Sequence, residues 1–492
     1  MNNTPELLIS RFDNQPTKRP WAGAISQPAK EFPVTPLPIL SGKIPEGLRG
    51  TLYRNGAARL ERAGMRVGHW FDGDGAILAV KFTDAGAMGV YRYVQTAGYQ
   101  EETAAGKFLY GNYGMTAPGL IWNHWLKPVK NAANTSVFAL PDKLLALWEG
   151  DHPHALNLET LETKGLDNLG GLDQGLPYSA HPKVDYKSGE IFNFGVSPGL
   201  KTTLHVYKSD FTGQIIQTAK FALAGTPLIH DFVLAGKYLI FFIPALRLNI
   251  LPVLLGTNTY SNSFKWQPEL GTHILVIDRE TLSLVSRCET EPWFQWHFAN
   301  GYVDASGLVI VDFCRYEDFQ TNQFLQEVAT GQTHTAAKSR FTRVQLQPQT
   351  GKVASIETLL DRHVEFTSVP QQNVGQISRY TYMSSLRQGT DISQEILNTI
   401  ARFDHNTQTL TEANIGENCY PSETLPASDA NNLEQIWLLT VVYDGNSNCS
   451  EVWIFDSDRL DAEPVCKLSL PTVIPHSFHG TWKPQKAPDF TN

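Results

Sequence analysis

The sequence is poor in features that mark several common protein classes. Cysteine occurs only 5 times in 492 residues, and no two cysteines form a CxxC pair. An odd number without paired spacing argues against a disulfide framework and against a thiolate zinc site. This cysteine usage fits a reducing compartment. We therefore expect a cytoplasmic protein, and association with a membrane surface stays open.

Basic clusters and a secretory signal are both missing. The formal net charge is -9, and the Lys and Arg residues are scattered, so the chain has no basic stripe suited to phosphate backbones. We expect no nucleic-acid partner. Residues 1–27 are polar and have no apolar stretch followed by small residues, so they do not resemble a secretory signal. We expect the mature protein to begin near Met1.

Long apolar runs are absent as well, and the closest approach to one is FFIPALRLNILPVLLG at 241–256. This segment is shorter than the roughly 20 apolar residues that a spanning helix needs. Pro244, Arg247, Asn249 and Pro252 also interrupt it. Two interpretations stay open: a buried loop or helix pair, or a patch that dips into one leaflet of a membrane while Arg247 reaches toward the headgroups.

Turn-forming residues are abundant. The 38 Gly and 29 Pro residues are spread along the chain, which is typical of many turns between short strands. Seven segments share one pattern, in which two alternating apolar runs flank a polar or glycine-containing turn. This pattern predicts β-hairpins. The segments begin at Ala79, His181, Leu204, His273, Arg343, Ile400 and Val452.

The spacing of the hairpins predicts the architecture. They recur at irregular intervals of some tens of residues, and helical periodicity is confined to short pieces such as Asp391–Ile400. Radial repetition of small antiparallel sheets is the simplest architecture with this pattern. We therefore predict an all-β fold, a β-propeller. Because no linker or low-complexity segment marks a boundary, we expect residues 1–492 to form a single domain.

Four of the 14 histidines lie in separate strand-like segments: His181, His230, His297 and His479. Imidazoles from distant strands converge only in a closed, wheel-like fold, and four nitrogens around one point are typical of a transition-metal site. Three of the four stand among aromatic and aliphatic residues, where an unpartnered imidazole would be costly. Solvent exposure is expected for the histidines in polar, turn-like stretches: His152, His154, His334, His363 and His405.

Three glutamates stand alone among apolar neighbours: Glu149, Glu365 and Glu423. A carboxylate can accept the free N–H of a metal-bound imidazole, so each glutamate is a candidate partner for one histidine. Each is also compatible with an ordinary surface or turn position, since charged residues are rarely buried unless they are paired. The residue pattern alone leaves both interpretations open.

Several motifs, in order along the chain, resemble the carotenoid cleavage oxygenases. The resemblance extends nearly from end to end and is greatest to the compact cyanobacterial apocarotenoid oxygenases. It is carried by Gly50–Ile77, Lys130–Leu156, Tyr178–Asp185, Leu228–Phe232, Leu438–Leu460 and Ile474–Trp482.

The resemblance implies a seven-bladed β-propeller with loops and short helices forming a cap over the metal axis. It implies one ferrous ion per chain, with His181, His230, His297 and His479 as ligands and Glu149, Glu365 and Glu423 behind three of them. By the same resemblance, Thr135 limits access to one of the open coordination positions. The residues after His297, and Thr367 and Ser368, depart from the family pattern at positions expected to shape the substrate tunnel.

The resemblance also implies a dioxygenase that inserts both oxygen atoms across one double bond of an apocarotenoid, with central cleavage that releases retinal. An apolar polyene needs an apolar passage with aromatic faces. Candidates are Phe71, Trp148 and Trp296, and core packing explains each of them at least as well. The alternatives are cleavage of a stilbene-like phenolic or a full-length carotenoid, a non-oxidative retinoid isomerohydrolase, or a propeller that binds without catalysis. The oligomeric state is left open.

Overall fold

Seven antiparallel sheets of four or more strands form the body of the computed structural model, which describes residues 19–126, 128–199 and 201–486. They are the blades of a seven-bladed β-propeller, so the predicted fold class is confirmed. Each blade has one edge strand that lies toward the axis, which we call its inner strand. Inner strands contact one another at several of the junctions between neighbouring blades.

The first four blades take most of their strands from the N-terminal half of the chain. In spatial order, blade 1 contains Phe32–Pro36, Gly86–Tyr93, Asp74–Thr83, Gly50–Arg59 and the inner strand Gly480–Pro484. Blade 2 runs outward through Ser136–Ala139, Leu144–Leu147, His154–Leu156 and Thr163–Leu166. Blade 3 contains Lys183–Val184, Ile191–Ser197, Thr203–Ser209 and Ile215–Ala222. Blade 4 contains Val233–Ala235, Tyr238–Ile243, Thr272–Asp278 and Leu284–Thr290.

The remaining blades follow the same outward order. Blade 5 contains Phe298–Val303, Val309–Arg315, Arg340–Leu346 and Val353–Leu360. Blade 6 contains Val364–Ser368, Tyr380–Ser385, Thr399–Asp404 and Thr409–Glu412. Blade 7 begins with two short strands, Cys419–Pro421 and Leu425–Ser428, and continues with Ile436–Asp444, Cys449–Asp456, Cys466–Ser469 and Ile39–Gly42.

Two long-range pairings close the ring. Gly480–Pro484 pairs with Gly50–Arg59 in blade 1, where Trp482 lies opposite Leu52. Ile39–Gly42 pairs with Cys466–Ser469 in blade 7. Closure leaves no open edge between the first and last blades, so the ring is tied by backbone hydrogen bonds as well as by the apolar cores between blades.

The seven predicted hairpins are confirmed, because each maps onto two paired antiparallel strands. The helical periodicity at Asp391–Ile400 does not correspond to a helix, so that prediction is wrong. The Asp391 carboxylate instead accepts hydrogen bonds from the backbone and hydroxyl of Ser393 and closes a turn. Thr399 and Ile400 then enter the ladder of blade 6. A local side-chain hydrogen bond and a sheet partner thus outcompete a weak helical period.

The helices are short, and the cap consists of those that line the central cavity, namely Trp70–Asp72, Asn123–Leu126, Ile250–Leu254 and Gln320–Val328, together with the loop 111–117. The α-helices are Ala97–Ala105, Asn123–Leu126, Ile250–Leu254 and Gln320–Val328. Short 3-10 helices occur at Pro20–Ile25, Trp70–Asp72, Ser261–Ser263, Pro268–Leu270, Gln371–Asn373 and Ser457–Arg459. Two-stranded ribbons pair Glu61–Arg62 with Met65–Arg66 and Leu246–Leu248 with Phe264–Trp266.

The apolar segment 241–256 matches neither open interpretation along its whole length. Its first residues complete the buried strand Tyr238–Ile243 of blade 4. Its end forms the helix Ile250–Leu254, in which Leu251 and Leu254 are more than half exposed. In the described part of the chain, no helix is both long and apolar enough to cross a membrane. The segment therefore joins a core strand to an exposed apolar turn of helix.

Candidate metal centre and cavity

All seven blades place a predicted group at the axis. The histidines stand one to three residues before the inner strands of blades 3, 4, 5 and 1: His181, His230, His297 and His479. Blade 6 carries Glu365 in its inner strand, and blade 7 carries Glu423 between its two first strands. Thr135 precedes the inner strand of blade 2. The convergence follows from propeller geometry, since inner strands from every blade end near one axis.

The four imidazoles meet at one buried point. Their ring nitrogens include one from each histidine that together lie within 4.8 Å of one another. The Nε2 atoms of His181 and His230 are 3.0 Å apart, and those of His230 and His297 are 3.2 Å apart. Nitrogens about 3 Å apart have the spacing of neighbouring ligands around one ion, given metal–nitrogen distances of about 2.1 Å.

Three of these rings contact a glutamate through Nδ1. His297 Nδ1 lies 2.5 Å from Glu365 Oε2, and His479 Nδ1 lies 2.9 Å from Glu423 Oε1. His230 Nδ1 pairs with the Glu149 carboxylate. The Glu365 and Glu423 side chains are buried, whereas that of Glu149 is 31% exposed. Each contact orients a ring and turns its Nε2 toward the common point.

The chemistry of the donor set fits a metal cation. Where Nδ1–H donates to a carboxylate, the Nε2 of a neutral imidazole carries a lone pair. If both rings are neutral, His230 and His297 face each other with two lone pairs at 3.2 Å, which is repulsive unless a cation lies between them. Burial acts to lower the pKa of His297, but the Glu365 carboxylate raises it above its ordinary value, so this point favours positive charge. Burial lowers the pKa of His479 to about 4. Burial and the neighbouring rings hold the pKa of His181 well below its ordinary value. The imidazoles of His181 and His479 are therefore neutral at physiological pH, which is the form that binds a metal ion.

A buried arginine supports the carboxylate of blade 7. Arg54 Nη1 donates to Glu423 Oε2 at 2.7 Å, and the guanidinium also donates to Ser477 Oγ and to the Phe478 carbonyl. Burial acts to raise the pKa of Glu423, but His479 and Arg54 lower it below its ordinary value. The sequence reasoning missed Arg54. It could have been sought, because a buried carboxylate such as that of Glu423 needs a cationic partner.

A cavity of about 680 Å³ lies between the four-histidine cluster and the cap. Aromatic rings form part of its wall, and they include Trp70, Phe71, Tyr113, Trp148, Trp296 and Phe478. Its volume and apolar lining are typical of a site that buries most of an elongated small molecule. The wall also includes His230, His297 and His479, so a molecule in the cavity reaches the candidate metal centre.

The four residues predicted near the substrate all line this cavity: Phe71, Trp148, Trp296 and Thr135. Phe71 packs edge-on against Trp296 with ring centroids 5.6 Å apart, and the Trp296 ring lies 4.9 Å from that of His230. The backbone carbonyl of Thr135 accepts a hydrogen bond from the His479 amide. Thr135 is thus fixed beside one histidine of the cluster.

Sequence reasoning missed several residues of the wall. Tyr113 and Phe324 come from a loop and a helix of the cap, where no motif marked them. Phe478 also lines the cavity and packs 5.4 Å from Phe71. Its position next to His479 was a usable signal. Cap residues escape detection because their place over the axis is set by tertiary packing and not by local pattern.

Most of the histidines expected in solvent are not solvated, and that expectation is wrong. His152 and His154 are buried, and His363 and His405 are half-buried, whereas His334 is exposed. His152 Nε2 donates to the Asp173 carbonyl at 2.9 Å. Polar neighbours indicate a turn, but a turn between blades is covered by the next blade, so local polarity did not predict exposure.

The chain is similar to known proteins over nearly its whole length. A family model described as retinal pigment epithelial membrane protein (RPE65) matches residues 25–484. Apocarotenoid-15,15'-oxygenase of Synechocystis sp. is 32% identical over 468 residues, covering 90% of this chain and 92% of that protein. Resveratrol cleavage oxygenase 1 of Aspergillus fumigatus is 26% identical, with coverages of 90% and 91%. The crystal structure of cobalt-substituted Synechocystis ACO is 29% identical at a TM-score of 0.85, covering 95% of this chain and 98% of that one.

Proposed function

The chain belongs to the RPE65 and carotenoid cleavage oxygenase family, and on that premise we propose that it is a ferrous-iron-dependent dioxygenase acting on an apocarotenoid. One conjugated double bond of the polyene is broken, each of its two carbons gains one atom of dioxygen, and two carbonyl compounds are formed. Cleavage at the central bond makes retinal one of them. The observation that carries the proposal is the set of four imidazoles converging at the wall of an apolar cavity.

The protein groups that would hold the metal are the four imidazoles: His181, His230, His297 and His479. Bound ferrous iron supplies a redox-active centre with positions open to dioxygen. Glu149, Glu365 and Glu423 orient three of the rings, and their negative charge offsets that of a divalent ion. Arg54 keeps the Glu423 carboxylate in place behind His479.

The residues of the cavity wall bind and orient the substrate. Its aromatic rings exclude water and hold a long apolar chain in one orientation, so that one double bond is presented to the centre. The faces of Trp148 and Trp296 stabilise positive charge on the polyene. Thr135, fixed beside His479, narrows the approach to the centre and limits access to one open position.

The test is a substrate panel with iron-loaded protein. An apocarotenal, a full-length carotenoid and a stilbene-like phenolic are incubated under ¹⁸O₂, and the products are identified by mass. We expect two carbonyl products from the apocarotenal, each with one ¹⁸O, and one of them retinal. Preferred cleavage of the phenolic would overturn the substrate class. A His181→Ala variant is the matched control, since it removes one imidazole and should abolish turnover.

Two further measurements separate the other classes. Turnover of a retinyl ester without dioxygen would replace the oxygenase with an isomerohydrolase. Protein reconstituted anaerobically that holds much less than one iron per chain would favour a propeller that only binds. We expect one iron per chain and no anaerobic turnover, because the donor set is complete and its rings are already oriented.

The proposal includes peripheral contact with a membrane. The contact surface, which we call the apolar rim, consists of Leu120–Trp125 and Ile250–Leu255. Trp122, Trp125 and Leu251 are each more than half exposed on it. His124 Nδ1 contacts the Gly256 carbonyl at 2.7 Å, which joins the two segments, and His124 and Gly256 both line the cavity. An exposed apolar surface beside an apolar cavity suits substrates that partition into lipid.

A further inference from the structure

His363 lines the cavity outside the four-histidine cluster. The backbone N–H of Ser339 donates to its Nδ1 at 3.1 Å. A backbone amide can only donate, so Nδ1 carries a lone pair and the ring proton lies on Nε2. The Ser339 hydroxyl does not change this assignment, because it donates to the Val364 carbonyl and accepts from the Val364 amide. The structure therefore fixes a single tautomer.

The Nε2–H of His363 has no protein partner. Among the described residues, no group forms a hydrogen bond to this nitrogen, although the ring is enclosed by protein. The side chain is half-buried, yet burial lowers the pKa of His363 to about 4. Because His363 is part of the cavity wall, this neutral N–H is the ring group left to donate to a molecule in the cavity.

Two further polar residues line the same cavity as His363. The Tyr316 ring packs edge-on against the imidazole with centroids 6.2 Å apart. Ser384 lies opposite Glu365 in the ladder of blade 6, is only 1% exposed and has no partner for its hydroxyl. We call these three residues of the cavity lining the polar wall. A built polar site in an apolar cavity serves to orient and select a ligand.

We propose that the polar wall binds a carbonyl or hydroxyl oxygen at one end of the apolar substrate, with the Nε2–H of His363 as the donor. This inference rests on the proposed function and assigns the place in the cavity where the oxygen of the apocarotenoid is held. A carbonyl oxygen only accepts hydrogen bonds, so the tautomer of His363 matches it.

The test measures binding to the metal-free protein. Trp148 and Trp296 line the cavity, so a bound polyene quenches their fluorescence and gives a Kd without turnover. The probes are an apocarotenal and a hydrocarbon polyene of the same conjugated length. His363→Phe and His363→Leu remove the donor, so that failure of one variant to fold leaves the other. His363→Gln keeps an N–H donor, and His334→Phe is the control at an exposed position.

The donor role predicts a selective effect. We expect the apolar variants to bind the apocarotenal about tenfold more weakly, as the loss of one hydrogen bond implies, and the hydrocarbon less than about twofold more weakly. His363→Gln should restore most of the difference. Equal weakening for both probes, or no change for either, would overturn the inference. Because no metal is present, absence of cleavage by the iron-loaded enzyme would count against the proposed function and leave this result standing.

Discussion

Arg54 and Glu423 form a buried ion pair behind the candidate metal centre. Arg54 Nη1 lies 2.7 Å from Glu423 Oε2, while the other oxygen of the same carboxylate lies 2.9 Å from His479 Nδ1. The arginine comes from blade 1 and the glutamate from blade 7. The pair therefore couples the closure of the ring to the orientation of one imidazole.

Replacement of Arg54 should impair both folding and metal binding. Arg54→Met leaves the Glu423 carboxylate buried without a cation, and removal of one partner of a buried pair costs about 3–5 kcal/mol. His479 also loses a fixed acceptor, so Co²⁺ affinity should fall about tenfold or more. Urea unfolding and a Co²⁺ titration measure the two effects. Arg340→Met, at an exposed pair with Glu317, should change stability by less than about 1 kcal/mol.

The three glutamates should contribute unequally to metal affinity. Glu365 is buried and lies 2.5 Å from His297 Nδ1, whereas the Glu149 side chain is 31% exposed. A carboxylate out of water interacts more strongly with a charged centre. We expect Glu365→Gln to lower Co²⁺ affinity at least about tenfold, and Glu149→Gln to lower it less. Equal losses in a chelator competition assay would contradict this order.

The apolar rim should bind vesicles. Trp125 and Leu251 are 58% and 64% exposed, and a polar replacement at each should reduce cosedimentation with neutral phosphatidylcholine vesicles several-fold, because less apolar area enters the interface. Trp125→Ser with Leu251→Ser is the test variant. Leu433→Ser, at an exposed leucine outside the rim, is the control. Unchanged cosedimentation of the double variant would refute the membrane contact.

His154 should make the protein sensitive to mild acid. It is buried in blade 2, and burial lowers its pKa to about 4. The unfolded chain takes up a proton below about pH 6.5, whereas the folded chain does not until about pH 4. Stability is therefore lost as the pH falls through this window. At pH 5 the loss from this residue is about 2 kcal/mol relative to pH 7.

The matched measurement compares urea unfolding of the metal-free protein at pH 7 and pH 5. His154→Phe should lose about 2 kcal/mol less than the wild type over this interval, since the variant has no imidazole to protonate at this position. His334→Phe, at an exposed position, should lose as much as the wild type. An identical acid loss for His154→Phe and wild type would show that this imidazole is not the sensitive group.

The hairpins of the blades were predictable because their information is local. Alternating apolar residues and a turn specify two paired strands without reference to the rest of the chain. The helix expected at Asp391–Ile400 failed for the complementary reason: a turn and a sheet partner decided that segment. The count of seven blades and the iron came from resemblance to a family, since strand periodicity does not number the blades.

The site residues also divide into those that local sequence predicts and those that depend on distant parts of the chain. His230 and His297 were recognisable because imidazoles among apolar neighbours need a partner. His363 and Arg54 were not. The neighbours of His363 indicate a solvated turn, and Arg54 lies in a strand where a polar residue is unremarkable. Their roles depend on groups far away in the chain, namely the Ser339 amide and the Glu423 carboxylate.

The pairing of Gly480–Pro484 with Gly50–Arg59 means that blade 1 is completed only when the end of the chain has been synthesised. His479 reaches the axis with the strand that completes blade 1. More than four hundred residues must leave the ribosome before the two strands can meet, and contacts so distant in sequence form late. A nascent chain can hold at most three of the imidazoles in place. The complete set of four imidazoles therefore exists only after the ring has closed.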